Sequence, residues 1–176
     1  MSFHLHRIRF SVRTKNSFLA GTNSKVRLYF NIEEDHLNTE FEPGLHSIEL
    51  DHPFHDDFQR GQTDSYELSF GAESSGKERG GVAIPAGIQF TSLDHLKNMH
   101  FHIEIDGADK WIFDRYMLAG FIKELRPVAG SKTEVELIDH GWVELSKHSG
   151  DVAMSTDPQE GTATHEVPLN FTLPNA

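Results

Sequence analysis

The chain has no cysteine. That absence removes disulfides, zinc-thiolate centres and thiol nucleophiles together, and it fits any redox compartment. No apolar run is long enough for a membrane-spanning helix. The N-terminal stretch MSFHLHRIRFSVR is basic, but His and Arg interrupt its apolar positions, so it lacks the h-region of a secretory signal. The compartment stays unknown, with cytoplasm or membrane periphery as the default. The G-x-S-x-G, P-loop, GxGxxG and HExxH patterns are all missing. Positive charge is scarce: 16 Lys and Arg face 27 Asp and Glu, a formal net charge of -11. Such a surface repels phosphate backbones and anionic lipids unless a basic patch or a bound divalent cation inverts the local field. The sequence shows no such patch, so nucleic acid is not an expected partner.

What is present is a period of two. Val26, Leu28, Phe30 and Ile32 alternate with polar residues, as do Ile8, Phe10 and Val12; Tyr66, Leu68 and Phe70; Phe101, Ile103 and Ile105; and Val167, Leu169, Phe171 and Leu173. Alternation of this kind marks strands with one face in a core and one in water. Weaker strands are expected near 45–50, 116–124 and 132–138, and a short helical turn over Ser92 to Asn98 with Ser92 as cap. At 176 residues, 37% hydrophobic and 24% charged, the chain reads as one folded, soluble domain. Many short strands without βαβ alternation predict an all-β, antiparallel β-sandwich of about eight strands. Residues 1–148 would form the sandwich, and 149–176 a C-terminal extension with an edge strand, since Pro168 sits on the polar side of its segment. Glycine-rich 71–87 and the stretch 147–163 read as insertions between strands.

A series of short segments then carries a resemblance. Ala20-Gly21-Thr22-Asn23 leads into the strand KVRLYF, and Glu49-Leu50-Asp51 precedes the acidic loop HPFHDDF. Gln59-Arg60-Gly61, Thr63 to Tyr66, Leu93 to Ile105, Trp111-Ile112-Phe113-Asp114 and Gly141-Trp142 follow. In this order they resemble the signature of the PLAT (LH2) family, found in lipoxygenases, polycystins, pancreatic-type lipases and the C-terminal domain of clostridial alpha-toxin phospholipases. The resemblance covers roughly residues 5–146.

The resemblance implies calcium in the loops, held by the Gly21 carbonyl, Thr22, Asp51, Asp56, Asp57 and Asp114. Hard cations of this kind take six to eight oxygens. Two departures weaken the match: Leu19 stands where calcium-binding members often carry an acidic residue, and His52 where an asparagine is common. The loop HPFHDDF also runs one residue longer, which leaves the assignment of Asp56 and Asp57 to ligand positions open. The same aspartates would serve equally as solvated turn residues. A rival metal set for zinc is His52, His55, Asp56 and Asp57. The pairs His4 and His6, and His100 and His102, read as strand-face residues.

The resemblance also implies lipid contact near the W-x-x-D segment. Phe18, Leu19, Phe54, Trp111 and Ile112 are the candidates, with Phe18, Leu19, Phe54 and Ile112 expected at the surface and Trp111 and Phe113 able to plug the core end instead. The functional expectation is a non-catalytic module that docks on a lipid surface or a protein partner, with calcium as a candidate cofactor and no catalytic companion in the chain. A metal-free protein-interaction module is the alternative, and a metal-dependent hydrolase ranks third.

Overall fold

The computed structural model describes residues 1–33, 43–52, 57–71 and 78–174. The alternating segments pair as two sheets packed face to face. One has the order β10 (Val135–Met154), β9 (Trp111–Pro127), β1 (Ser2–Thr14), β4 (Thr63–Ser69), with β7 (Ile88–Phe90) pairing on β1. The other runs β11 (Thr164–Glu166), β8 (Phe101–Asp106), β2 (Lys25–Ile32), β3 (Gly44–Glu49). A small hairpin joins β5 (Glu78–Arg79) to β6 (Val82–Ala83), inside the stretch read as an insertion. The ladders are antiparallel, as a sandwich requires.

The inward sets are those the alternation selects. Ile8, Phe10 and Val12 of β1 meet Val26, Leu28 and Phe30 of β2 and Phe101, Ile103 and Ile105 of β8 in one core. Helix α1 (Leu93–Lys97) forms where the Ser92 hydroxyl accepts the His95 N–H at 3.1 Å, a cap that satisfies an otherwise orphaned donor. Its Leu96 drops into the core.

Two expectations change. Residues 147–154 belong to β10, which continues through position 148, and register shifts at Asp139/Gly141, Glu144/Ser146 and Ser149/Val152 explain why its sequence shows no clean period. Each shift moves the following side chains to the opposite face. The segment from Val167 to Leu173 is not a strand; the edge strand is β11, just before it. Its alternation is nevertheless real, with Val167, Phe171 and Leu173 buried. The segment bridges the sheets: Val167 N–H bonds the Phe101 carbonyl at 2.9 Å and Asn170 N–H the Leu145 carbonyl at 2.8 Å.

The end of that bridge is fastened by a buried charged group. Glu124 accepts from Arg126 at 2.8 and 3.0 Å and from His140 Nε2 at 3.0 Å, while His140 Nδ1 donates to the Pro174 carbonyl at 3.1 Å. Burial alone would push the Glu124 carboxyl up, but the Arg126 and His140 hydrogen bonds outweigh it and hold it below the usual range.

His4 behaves differently. It is wholly buried in the middle of a ladder, its Nε2 3.2 Å from the Ser2 hydroxyl, and its Nδ1 has no hydrogen bond. Burial lowers its pKa from 6.5 to about 4. The unfolded chain therefore takes up this proton first, so stability is complete above about pH 6.5 and falls as the pH drops towards 4. Thermal melts across that window are expected to show a loss of roughly 3 kcal/mol from this group, and His4→Gln to flatten that part of the profile.

Candidate functional site at the loop end

Three connections meet at one end of the sandwich: 15–24 after β1, the described residues 50–52 and 57–62 before β4, and 107–110 before β9. Backbone hydrogen bonds join them. Ile112 N–H bonds the Ala20 carbonyl at 2.9 Å, Lys15 N–H the Ile112 carbonyl at 2.8 Å, and Gly61 N–H the Thr14 carbonyl at 3.1 Å. Gly21 passes so close to the middle loop that a Cβ there would lie 2.9 Å from the Phe58 carbonyl oxygen, which only glycine avoids.

Beneath the loops lies an aromatic plug. Trp111 packs edge-on to Phe58 at 4.8 Å between ring centroids and against Phe113 at 5.0 Å. Its Nε1–H donates to the Thr14 hydroxyl at 3.0 Å, as a buried indole requires. Above the plug, Phe18 and Leu19 stand out, 82% and 72% exposed. Leu19 and the buried Phe58 both adopt left-handed backbone, each with φ of 59°, a conformation that costs an L-residue about 1–2 kcal/mol.

Beside the tip is a polar network. Asp57 accepts the His52 backbone N–H at 2.5 Å and the His52 ring Nδ1 at 2.7 Å, and His52 Nε2 donates to the Ser65 carbonyl at 2.8 Å. Because a carbonyl only accepts, Nε2 carries a proton. The hydrogen bond to Asp57 raises the His52 pKa above its ordinary value. The ring stacks on Tyr66 at 4.4 Å. Asp64, buried, accepts the Phe58 N–H at 2.9 Å and Gln62 Nε2 at 2.5 Å. Donor atoms of His52, Asp57 and Asp64 all lie within 4.8 Å of one another. The Tyr66 hydroxyl is buried near these carboxylates without an ordinary hydrogen bond. Burial first, then Asp57, Asp64 and Asp51, raises its pKa, so it stays a neutral phenol.

A cleft of about 340 Å³ opens between Thr22, Lys25, Glu49, Asp51, Asp57 and Phe58. A second, also about 340 Å³, adjoins it through Thr22 and is lined by Leu19, Gly21, Gln59, Arg60 and Asp109.

No protein-family model matches the chain, and no curated protein matches it in sequence. Solved structures do. The alpha toxin of Clostridium absonum superposes with a TM-score of 0.52 at 13% identity, over 94% of this chain and 32% of the toxin. The Clostridium perfringens alpha-toxin from avian strain SWCP gives 0.52 at 10%, over 93% and 31%. The chain has a PLAT-like fold. Coral 8R-lipoxygenase also matches, at 15% identity over 85% of this chain and 16% of the enzyme, with a TM-score of 0.38 that is too low to argue from. The PLAT-like chain spans about a third of the length of either toxin, and at these identities the likeness concerns fold alone.

The PLAT-like frame brings together only some of the residues implied for calcium. Gly21, Thr22, Asp51 and Asp57 line the two adjoining clefts. Thr22 is buried and its hydroxyl accepts the Ser24 N–H at 2.9 Å. Asp114 does not join them: Arg13 holds both its oxygens, at 2.7 and 2.8 Å, and draws its pKa down. Asp56, with His55 of the zinc set and Phe54 of the apolar set, lies outside the described residues. Calcium's six to eight oxygens are thus not assembled among the described residues, where Asp51 is the one implied carboxylate left without a donor.

The apolar set also divides. Phe18 and Leu19 are exposed and Ile112 is half-buried, but Trp111 has no exposure and is removed from the lipid-facing group, because its ring and N–H are both satisfied inside. In the zinc set, both ring nitrogens of His52 are engaged, Nδ1 by Asp57 and Nε2 by the Ser65 carbonyl. Asp64 was missed as a member of the polar group. Its signal was parity, for it shares the inward side of β4 with Tyr66.

The plug generates a direct test. Thr14→Val keeps the shape but orphans the indole N–H, and urea unfolding is expected to show a loss of about 1–3 kcal/mol with an unchanged denaturant slope.

Proposed function

We propose that this PLAT-like chain is a non-catalytic module that docks shallowly on a lipid surface through Phe18 and Leu19. The observation that carries the reading is this adjacent, exposed apolar pair, presented at a tip where Leu19 is kept in strained backbone. Strain without a packing return in the free chain is a cost that a docking contact offsets. Side chains of this size gain about 1.5–3 kcal/mol each on leaving water, enough for weak and reversible attachment.

Electrostatics shape the preference. With a net charge of -11 the module is repelled by anionic headgroups, so neutral vesicles are the better surface at low salt, and added salt narrows the difference. An apolar tip needs no cation to insert, so the reading does not depend on calcium. The absence of catalysis is supported by the way the site's polar groups are spent: Asp57, Asp64 and His52 are all engaged in holding the loop.

Co-sedimentation with neutral vesicles tests the proposal. The unsubstituted chain is expected to sediment, and Phe18→Ser/Leu19→Ser to remain in solution with its melting temperature within a few degrees. Leu19→Gly separates strain from contact: it should gain about 1 kcal/mol of stability and still lose vesicle binding. Unchanged binding by the double variant would move the docking role to a protein partner.

A further inference from the structure

We propose that the acidic loop end is closed by the chain's own hydrogen-bond donors, His52 on Asp57 and Arg13 on Asp114, at carboxylates the resemblance implies for calcium, so that these two carboxylates are held in place without the ion.

A carboxylate serves a cation through its oxygens, and here each oxygen of Asp57 and Asp114 already accepts a hydrogen bond from the chain. Both Asp57 oxygens are met from one residue, Oδ2 by the His52 backbone N–H at 2.5 Å and Oδ1 by its ring at 2.7 Å. The Asp57 side chain is 5% exposed, so the approach from solvent is largely shut as well. Asp114 is held by the fork of Arg13, Nε to Oδ1 at 2.7 Å and the terminal nitrogen to Oδ2 at 2.8 Å. Two parallel charge-assisted bonds of this kind already supply the geometry and the charge balance that a bound ion would bring.

The departures from the family pattern act in one direction. Leu19 offers no side-chain oxygen, and its side chain is exposed. His52 takes the position where an asparagine would present a carbonyl and brings donors instead. Asp64, the additional carboxylate, does not make up the number, because Phe58 N–H and Gln62 occupy it in a buried position. Asp51 is left facing the cleft with Thr22, whose hydroxyl is already accepting from Ser24. Among the described residues, Asp51 with the exposed Asp109 of the adjoining cleft is far from a calcium cage.

Melting in chelator and in millimolar calcium, with calorimetric titration beside it, decides the matter. The unsubstituted chain is expected to melt at the same temperature in both and to give no binding heat. His52→Asn frees Asp57 beside Asp51 in the same cleft, so this variant should melt lower in chelator and recover part of the loss in calcium. A calcium-dependent rise in the unsubstituted chain, removed by Asp51→Asn, overturns the proposal, and so does a folded His52→Asn that ignores calcium. Should that variant fail to fold, the response of the unsubstituted chain decides alone. The extension to docking rests on the lipid-surface reading above: vesicle binding should be equal in chelator and calcium. Absence of binding in both would sink the lipid reading while leaving the melting result in place.

Discussion

Trp111 has no contact with solvent and its N–H has one partner, the Thr14 hydroxyl, so the ring fits only where the end of β1 and the start of β9 meet. That constraint organises the loop end. The indole supports Phe58 from below, Phe58 carries the middle loop in a left-handed turn, and its carbonyl sets how near Gly21 comes. The apolar tip and the acidic clefts are therefore built on the same ring, and neither could be repositioned without disturbing the core.

A second constraint is charge. A chain of net charge -11 carries many carboxylates, and several of them are paired with cations. Glu67 meets Arg7 and Arg9, Asp114 meets Arg13, and Glu124 meets Arg126 and His140. No basic patch was visible along the sequence, yet Arg7, Arg9 and Arg13 share the outer face of β1 because they alternate with Ile8, Phe10 and Val12. Each is spent locally. Arg9 also lies over Trp142 at 4.3 Å and Arg7 over Phe121 at 5.0 Å, contacts that favour a cation on an aromatic face.

Legibility followed the regularity of the ladders. β2, β4, β8 and the Ile8 to Val12 part of β1 were readable because nothing interrupts their alternation. β10 was not, since three register shifts divide its 20 residues, and Gly150, within the third of them, reads as a loop residue. The closing segment misled in the opposite sense: Val167, Phe171 and Leu173 are buried in alternation, but their backbone bonds go to β8 and β10 in turn, so no ladder forms.

Alternation, turn residues and the ordered signature segments are local properties, and from them the sequence by itself determined an antiparallel sandwich with a PLAT-like order of segments. What each aspartate at the loop end does was decided only by tertiary structure. Arg13 and Asp114 are 101 residues apart, and Thr14 and Trp111 are 97 apart. No spacing rule reaches that far, because the partner of a side chain is set by which strands pair and in what register, and a carboxylate's chemistry is set by its partner.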